Sequence, residues 1–257
     1  MKPPLVLLPP SEGKATGGSE PSLKLNGLSF PSLTEARKKV IANLDQLPDA
    51  AFGVKGAALE KAKLANAKVM KSKTLPALLR YTGVLYDALD AGSLTTKEKK
   101  RLNEQVVIFS GLFGAVAADD LLPDYKLKMS ATLSNLGRLS SFWKPFLTDA
   151  LAPYCEQQIV WNLLPNEHNS AWAPPTSARI ITVKFLDDDG KGNLTTVSHW
   201  NKLLKGSLVR WLLSNNATEP TALKKFRHPE NYRFSEIAVT KATAKTPQIE
   251  TVVMVRK

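Results

Sequence analysis

The residue types able to do chemistry fall in a few short polar segments. Pro10 to Ala15 sets Gly13 and Lys14 behind an apolar run, as a phosphate loop would. The match fails twice: Leu8 stands where such a loop has its first glycine, and Ala15 follows the lysine where Ser or Thr would meet magnesium. A nucleotide P-loop is therefore excluded. A second turn, Ser110-Gly111-Leu112-Phe113-Gly114, has glycines that let backbone amides approach a phosphate, although a plain strand-to-helix turn asks for the same glycines. Tyr125 beside Lys126 and Lys128 offers an aromatic plane among cations, suited to a single strand or a flipped base. A tyrosine anchored in the core by its ring would give the same pattern. Neither Ser11 nor Ser110 has the flanks of a nucleophile elbow.

Metal and redox chemistry find less support. His168, His199 and His228 are widely spaced, with no i, i+4 pair, and Cys155 is the single cysteine. No metal site, no cofactor and no internal disulfide are expected from such a set. Asp187-Asp188-Asp189-Gly190 lacks the ligand pattern and closing glutamate of a calcium loop and reads as a hairpin turn.

Charge singles out two further segments. Lys plus Arg number 35 against 23 Asp plus Glu, a net +12. Residues 55–101 contribute +7 and residues 202–233 contribute +5, so the rest of the chain is neutral on balance. In the first window Lys61, Lys68 and Lys71 fall roughly opposite Leu59, Ala62, Val69 and Met70 at helical spacing, either a solvated outer face or a phosphate-facing ridge. In the second, Lys202, Gly206 and Arg210 share one stripe, and Leu204, Leu208, Trp211 and Leu212 share another. A glycine inside a helix costs about 1 kcal/mol relative to alanine, so Gly206 points to the close approach of a ligand or of another helix.

The elements that must position these residues are legible in outline. Leu5–Leu8 predicts a short buried strand, stopped by Pro9 and Pro10 and followed by a Pro/Gly/Ser-rich loop to residue 32. Ser32 with Glu35 predicts a capping box opening a helix to about Leu44. Further helices are predicted at 56–71, 75–90, 96–103, 141–152 and 200–214. Strands are predicted at 105–109 and 158–161, as a hairpin of 179–186 with 194–198, and at 234–240 and 249–255. No composition break or internal repeat divides the chain, so one mixed α+β domain over residues 1–257 is expected. With 43% hydrophobic residues and no apolar run long enough for a membrane span or a signal-peptide core, the expectation is a soluble, cytoplasmic protein without membrane contact.

Several of these segments together resemble the YaaA peroxide-stress family. Ser110 to Gly114, then Asp120-Leu121 and Tyr125 to Met129, is similar to its central signature. Leu7 to Lys14 resembles its opening strand and lysine-bearing loop, Gly83 and Tyr86 its glycine–tyrosine element, and Phe142-Trp143 its aromatic pair. Asn162-Leu163 with Glu167, the hairpin 180–198 and the helix bearing Lys202, Lys205, Gly206 and Arg210 complete the resemblance over roughly residues 5–215. Lys126, Lys128, Ser130 and His168 depart from the residues usual there.

The resemblance implies a single α+β domain with a positively charged cleft and a helix–hairpin–helix-like element. It also implies protection from hydrogen peroxide, lower free iron and DNA binding. Two functions follow as expectations. The first is a DNA-binding protein of the peroxide response, taking duplex or branched DNA with little sequence preference. Lys14, Lys126, Lys202, Lys205 and Arg210 would contact phosphates, Gly111 and Gly114 would add backbone donors, Tyr125 would stack, and Lys61, Lys68 and Lys71 would extend the footprint. The alternative is an enzyme acting on a nucleotide, nucleobase or similar anionic small molecule, with Asp120 and Glu167 as acid or base and lysines holding the anion.

Overall fold

The computed structural model describes residues 3–156, 158–197, 201–228 and 230–256. Its main sheet consists of β1 (Leu5–Leu8), β2 (Val106–Ser110), β3 (Gly114–Ala117), β4 (Ile159–Asn162), β5 (Arg179–Asp188), β6 (Leu194–Thr196), β7 (Arg233–Thr240) and β8 (Gln248–Arg256). Their order is β7-β8-β5-β4-β1-β2-β3, with β6 paired to β5. Every residue of β1 and β2 is buried, as expected of strands covered on both faces, whose sequences run continuously apolar instead of alternating. β1 runs parallel to β2, with Leu7 opposite Val107, and parallel to β4 on its other side, with Leu7 opposite Asn162. β4, β5 and β8 continue the parallel set, while β3 and β7 close the two edges antiparallel.

This order has a functional consequence. The chain leaves β1 toward β2 on one side, then returns to place β4 on the other. Outside the carboxyl ends of strands at such a reversal, crossovers diverge and leave a crevice. Lys14 follows β1, Ser110 ends β2, and Leu163 to Glu167 follow β4.

Among the described residues, six α-helices are longer than one turn: α1 (Thr34–Ile41), α2 (Ala57–Ala67), α3 (Val84–Leu89), α4 (Thr96–Gln105), α5 (Leu139–Cys155) and α6 (Asn201–Asn215). Four differ from the sequence expectation in instructive ways. α1 has no capping box: the chain enters it from Phe30, at φ 58°, through a turn over Pro31–Leu33, and Glu35 pairs with Lys38 instead. The capping box belongs to α4, where Thr95 and Glu98 satisfy each other's backbone donors. α2 ends at Ala67, and the amide of Lys68 takes up its last carbonyls. The helix expected over 75–90 is broken. Lys73–Pro76 is a strand paired with Glu20–Ser22 and with Leu121–Leu122, Ala77–Arg80 is a single turn, and α3 starts after Gly83 at φ 102°. The break lets Tyr81 adopt extended backbone and bridge to Lys14.

The hairpin and both tail strands form as expected, but Ser198 and His199 lie outside the described residues. Gly206 serves a helix–helix contact. A side chain there would run into the carbonyl oxygen of Leu85 and come within 2.9 Å of the Ala88 Cβ, so α6 packs backbone-close on α3. Among the described residues, no helix is long and apolar enough to cross a membrane.

Candidate functional site

Lys14 follows β1, at the carboxyl ends of the parallel strands, and bridges to Tyr81. Its Nζ donates to the Ser11 carbonyl at 3.1 Å and lies 4.3 Å from the Tyr125 ring centre and 5.4 Å from that of Tyr81. Burial, and then the charge of Lys126, bring its pKa down from 10.5 to about 7, against the opposing pull of Asp124 and Glu12. An amine in that state is part neutral at physiological pH and so is able to act as a base or nucleophile, which an ordinary surface lysine is not. The residue as a whole keeps partial contact with solvent.

The loop bearing Lys14 is held from several directions. The Thr82 amide donates to Ser11 Oγ at 3.0 Å, and the Tyr86 hydroxyl donates to the Pro9 carbonyl at 2.8 Å. Arg80 is fully buried and donates to the carbonyls of Ala15, Gly17 and Leu122. Behind the amine runs a chain of hydroxyls. Tyr81 and Tyr125 meet at 2.7 Å, Tyr125 and Ser110 meet at 2.8 Å, and Ser110 Oγ accepts from the amides of Leu112 and Phe113. Burial raises Tyr81 and Tyr86 well above the usual phenol range and pushes Tyr125 up to about 12, so all three keep their protons near neutrality. In front of it, Glu12 pairs with Lys126 at 3.5 Å and Lys128 at 3.3 Å. Although burial works to raise it, Glu12 is held below its ordinary value by these two lysines.

The remaining residues singled out from the sequence divide clearly. Gly111 and Gly114 are buried, and the amides after Gly111 are spent on Ser110. A side chain at 111 would strike the backbone of Leu127 and Lys128, and one at 114 the Trp143 ring. The two glycines thus serve close packing. Lys205 donates to the Leu163 carbonyl at 3.0 Å, at the end of β4, and burial lowers its pKa. Arg210 caps the end of α3 through the Leu89 and Asp90 carbonyls. Lys61, Lys68, Lys71 and Lys202 are exposed.

Both candidate carboxylates act on backbone. Asp120 accepts from the Ser29 amide and hydroxyl and the Ala117 amide, with fully buried Arg37 close by. Glu167 accepts from the Ser130 amide at 2.9 Å. His168 is buried with Nδ1 unpartnered, and His228 is buried between Phe226 and Tyr232. His199 lies outside the described residues. Among those that are described, no three His, Cys, Asp or Glu residues gather as a metal set. Burial pushes the Cys155 thiol up to about 12, which disables it as a peroxide-sensing thiolate.

Four site residues carried no signal in the sequence. Tyr81 and Arg80 lay inside an expected helix, and Glu12 in a loop. Asn66, whose side chain both donates to and accepts from the Lys126 backbone, lay among the apolar residues on the buried side of α2.

A family model described as peroxide stress protein YaaA matches residues 5–238. The chain belongs to this family. A UPF0246 protein of Streptomyces coelicolor is 38% identical over 82% of the chain and 83% of its own length. One from Corynebacterium efficiens is 38% identical over 85% and 88%. An uncharacterized protein of Campylobacter jejuni is 28% identical over 91% and 94%. The YaaA match takes in all the residues around Lys14, from Pro9 to Lys205. It also reaches β7, beyond the segments whose resemblance was evident in the sequence.

Proposed function

We propose that this YaaA-family chain is an enzyme acting on an anionic small molecule, a nucleotide or nucleobase in the first instance, with Lys14 as its working amine. The observation that carries the proposal is the near-neutral Lys14 beside two protonated tyrosines, at the carboxyl ends of parallel strands where the chain reverses direction across the sheet. Lys126 supplies positive charge next to that amine, and Lys128 joins it on Glu12. Glu12 neutralises part of it and would be displaced by an incoming anion. Asp120 and Glu167 hold backbone and take no part in the chemistry.

DNA binding is the second function, and one observation favours it: Lys61, Lys68, Lys71 and Lys202 are exposed and available to phosphates. Against it stand the internal roles of Lys205, Arg210, Tyr125 and the Gly111–Gly114 turn. A positively charged cleft and a helix–hairpin–helix-like element belong to this second function.

Titration calorimetry with nucleoside monophosphates and with a short DNA duplex separates the two. Binding of a nucleotide that disappears in Lys14→Met is expected. No nucleotide binding, together with duplex affinity that falls steeply with salt and is lost on Lys61, Lys68 and Lys71→Glu, would overturn the enzyme assignment in favour of DNA.

A further inference from the structure

The hydroxyl chain behind Lys14 has a direction, set at one end by lone-pair counting and carried along by cooperativity. A serine oxygen carries two lone pairs and one proton. Both lone pairs of Ser110 are taken, by the Leu112 amide at 3.2 Å and the Phe113 amide at 3.0 Å. Ser110 must therefore give its own proton to Tyr125, 2.8 Å away. Tyr125 keeps a second lone pair, so counting alone leaves its bond to Tyr81 undirected; the cooperative arrangement, in which Tyr125 accepts from Ser110 and donates onward, passes its proton to Tyr81 at 2.7 Å. Tyr81 is left with a proton that finds no acceptor among the described residues, although the residue is only 2% exposed. A buried hydroxyl proton without an acceptor is costly to keep, and one on a ring 5.4 Å from a buried amine marks a place for a polar group of a ligand.

We infer that Tyr81 is the proton donor of the site, held in the donating sense by the Leu112 and Phe113 amides acting through Ser110 and Tyr125, and that the ligand presents a carbonyl oxygen to it. The inference rests on the Lys14 site proposed above and names the class of group that site receives. In the step this arrangement allows, the Lys14 lone pair forms a bond to the carbonyl carbon while the C=O π pair moves onto oxygen. That oxygen takes the Tyr81 proton, and the Tyr81 phenolate regains a proton from the new ammonium. The product is a neutral carbinolamine, with no oxidant or reductant required. Ser110 and Tyr125 touch no ligand in this scheme and are positioning residues.

Pyridoxal 5′-phosphate, an aldehyde bearing an anionic group, serves as the probe, with borohydride reduction and peptide mapping as the readout. Wild-type protein should be labelled at Lys14 ahead of its other lysines near neutral pH. Tyr81→Phe should slow labelling of Lys14 tenfold or more without moving the pH at which that amine becomes reactive, a split that mere loosening of the fold would not produce. Lys14-selective labelling that proceeds as fast in Tyr81→Phe would overturn the role of Tyr81 while leaving the Lys14 site standing. Labelling with no preference for Lys14 in the wild type would overturn the site itself, and the inference with it. The direction of the chain can also be read without any variant. In proton NMR of the wild-type protein, the Tyr125 hydroxyl proton should show its stronger nuclear Overhauser effect to the Tyr81 ring, and a stronger effect to the Ser110 methylene would refute the inference.

Discussion

Replacing Lys14 by Met should make the protein more stable, and by an amount that depends on pH. Burial, followed by Lys126, lowers the amine from 10.5 to about 7. At about 1.4 kcal/mol per unit, such a shift in a wholly enclosed group corresponds to roughly 5 kcal/mol. Because Lys14 keeps some contact with water, solvent screening reduces the expectation to roughly 2–4 kcal/mol. The sign follows from proton counting. The unfolded chain holds this proton up to about 10.5 and the folded chain only up to about 7, so across that window the unfolded state binds more protons and stability rises with pH. Below the window both states are charged and the folded state bears the whole cost. Removal of the buried charge should thus favour Lys14→Met by roughly 2–4 kcal/mol at about pH 6, a gain that should vanish on approach to about pH 10.5. The variant also loses the bond to the Ser11 carbonyl, a loss of about 1 kcal/mol that does not vary with pH. The decisive quantity is accordingly the slope, from urea unfolding followed by tryptophan fluorescence at a series of pH values. Parallel stability curves for the two proteins between about pH 7 and 10 would show that Lys14 is an ordinary charged lysine, and the chemistry assigned to it would have no basis.

Two further substitutions probe the frame around the site. Gly206→Ala gains about 1 kcal/mol of helix propensity but forces a methyl onto the Leu85 carbonyl and within 2.9 Å of Ala88. Overpacking of this kind costs about 1–3 kcal/mol, so thermal unfolding should show a net loss; a variant at least as stable as the wild type would mean that α6 and α3 are not in backbone contact. Asp120→Asn turns an amide group toward the Ser29 or Ala117 amide, whichever way it is flipped, and removes the charge nearest to buried Arg37. A loss of roughly 2–4 kcal/mol is expected in urea unfolding, with Lys14 labelling by the aldehyde probe retained in the folded protein. Labelling abolished in a variant of native stability would instead give Asp120 a part in the chemistry.

The sequence disclosed what is local or periodic and hid what is made by contact. β1 and β2 could be read because strands buried on both faces spell unbroken apolar runs, β4 by its apolar Ile159–Trp161, and the β5–β6 hairpin because glycine-containing turn residues lie between two strand-like segments. The broken segment over 75–90 could not, because its cause is distant: Thr74 is held by the Pro21 carbonyl, Arg80 by the carbonyls of Ala15 and Leu122, and Tyr81 by Lys14. Helical spacing over those residues was real but weaker than the tertiary bonds that override it. The charged residues misled for a related reason. Lys202 and Lys205 are three apart on one helix, yet one is exposed and the other donates to the end of β4. Position on a helix tells which face a lysine occupies, and only the packing of that face tells whether its charge meets water, a phosphate or a carbonyl. Lys14 is the extreme case. Nothing in Gly13-Lys14-Ala15 distinguishes an ordinary loop lysine from one whose pKa is lowered by its surroundings. The difference is made by Tyr81, Tyr125 and Lys126, which come from distant parts of the chain and lower its pKa only once β1 and β2 have brought their loops together.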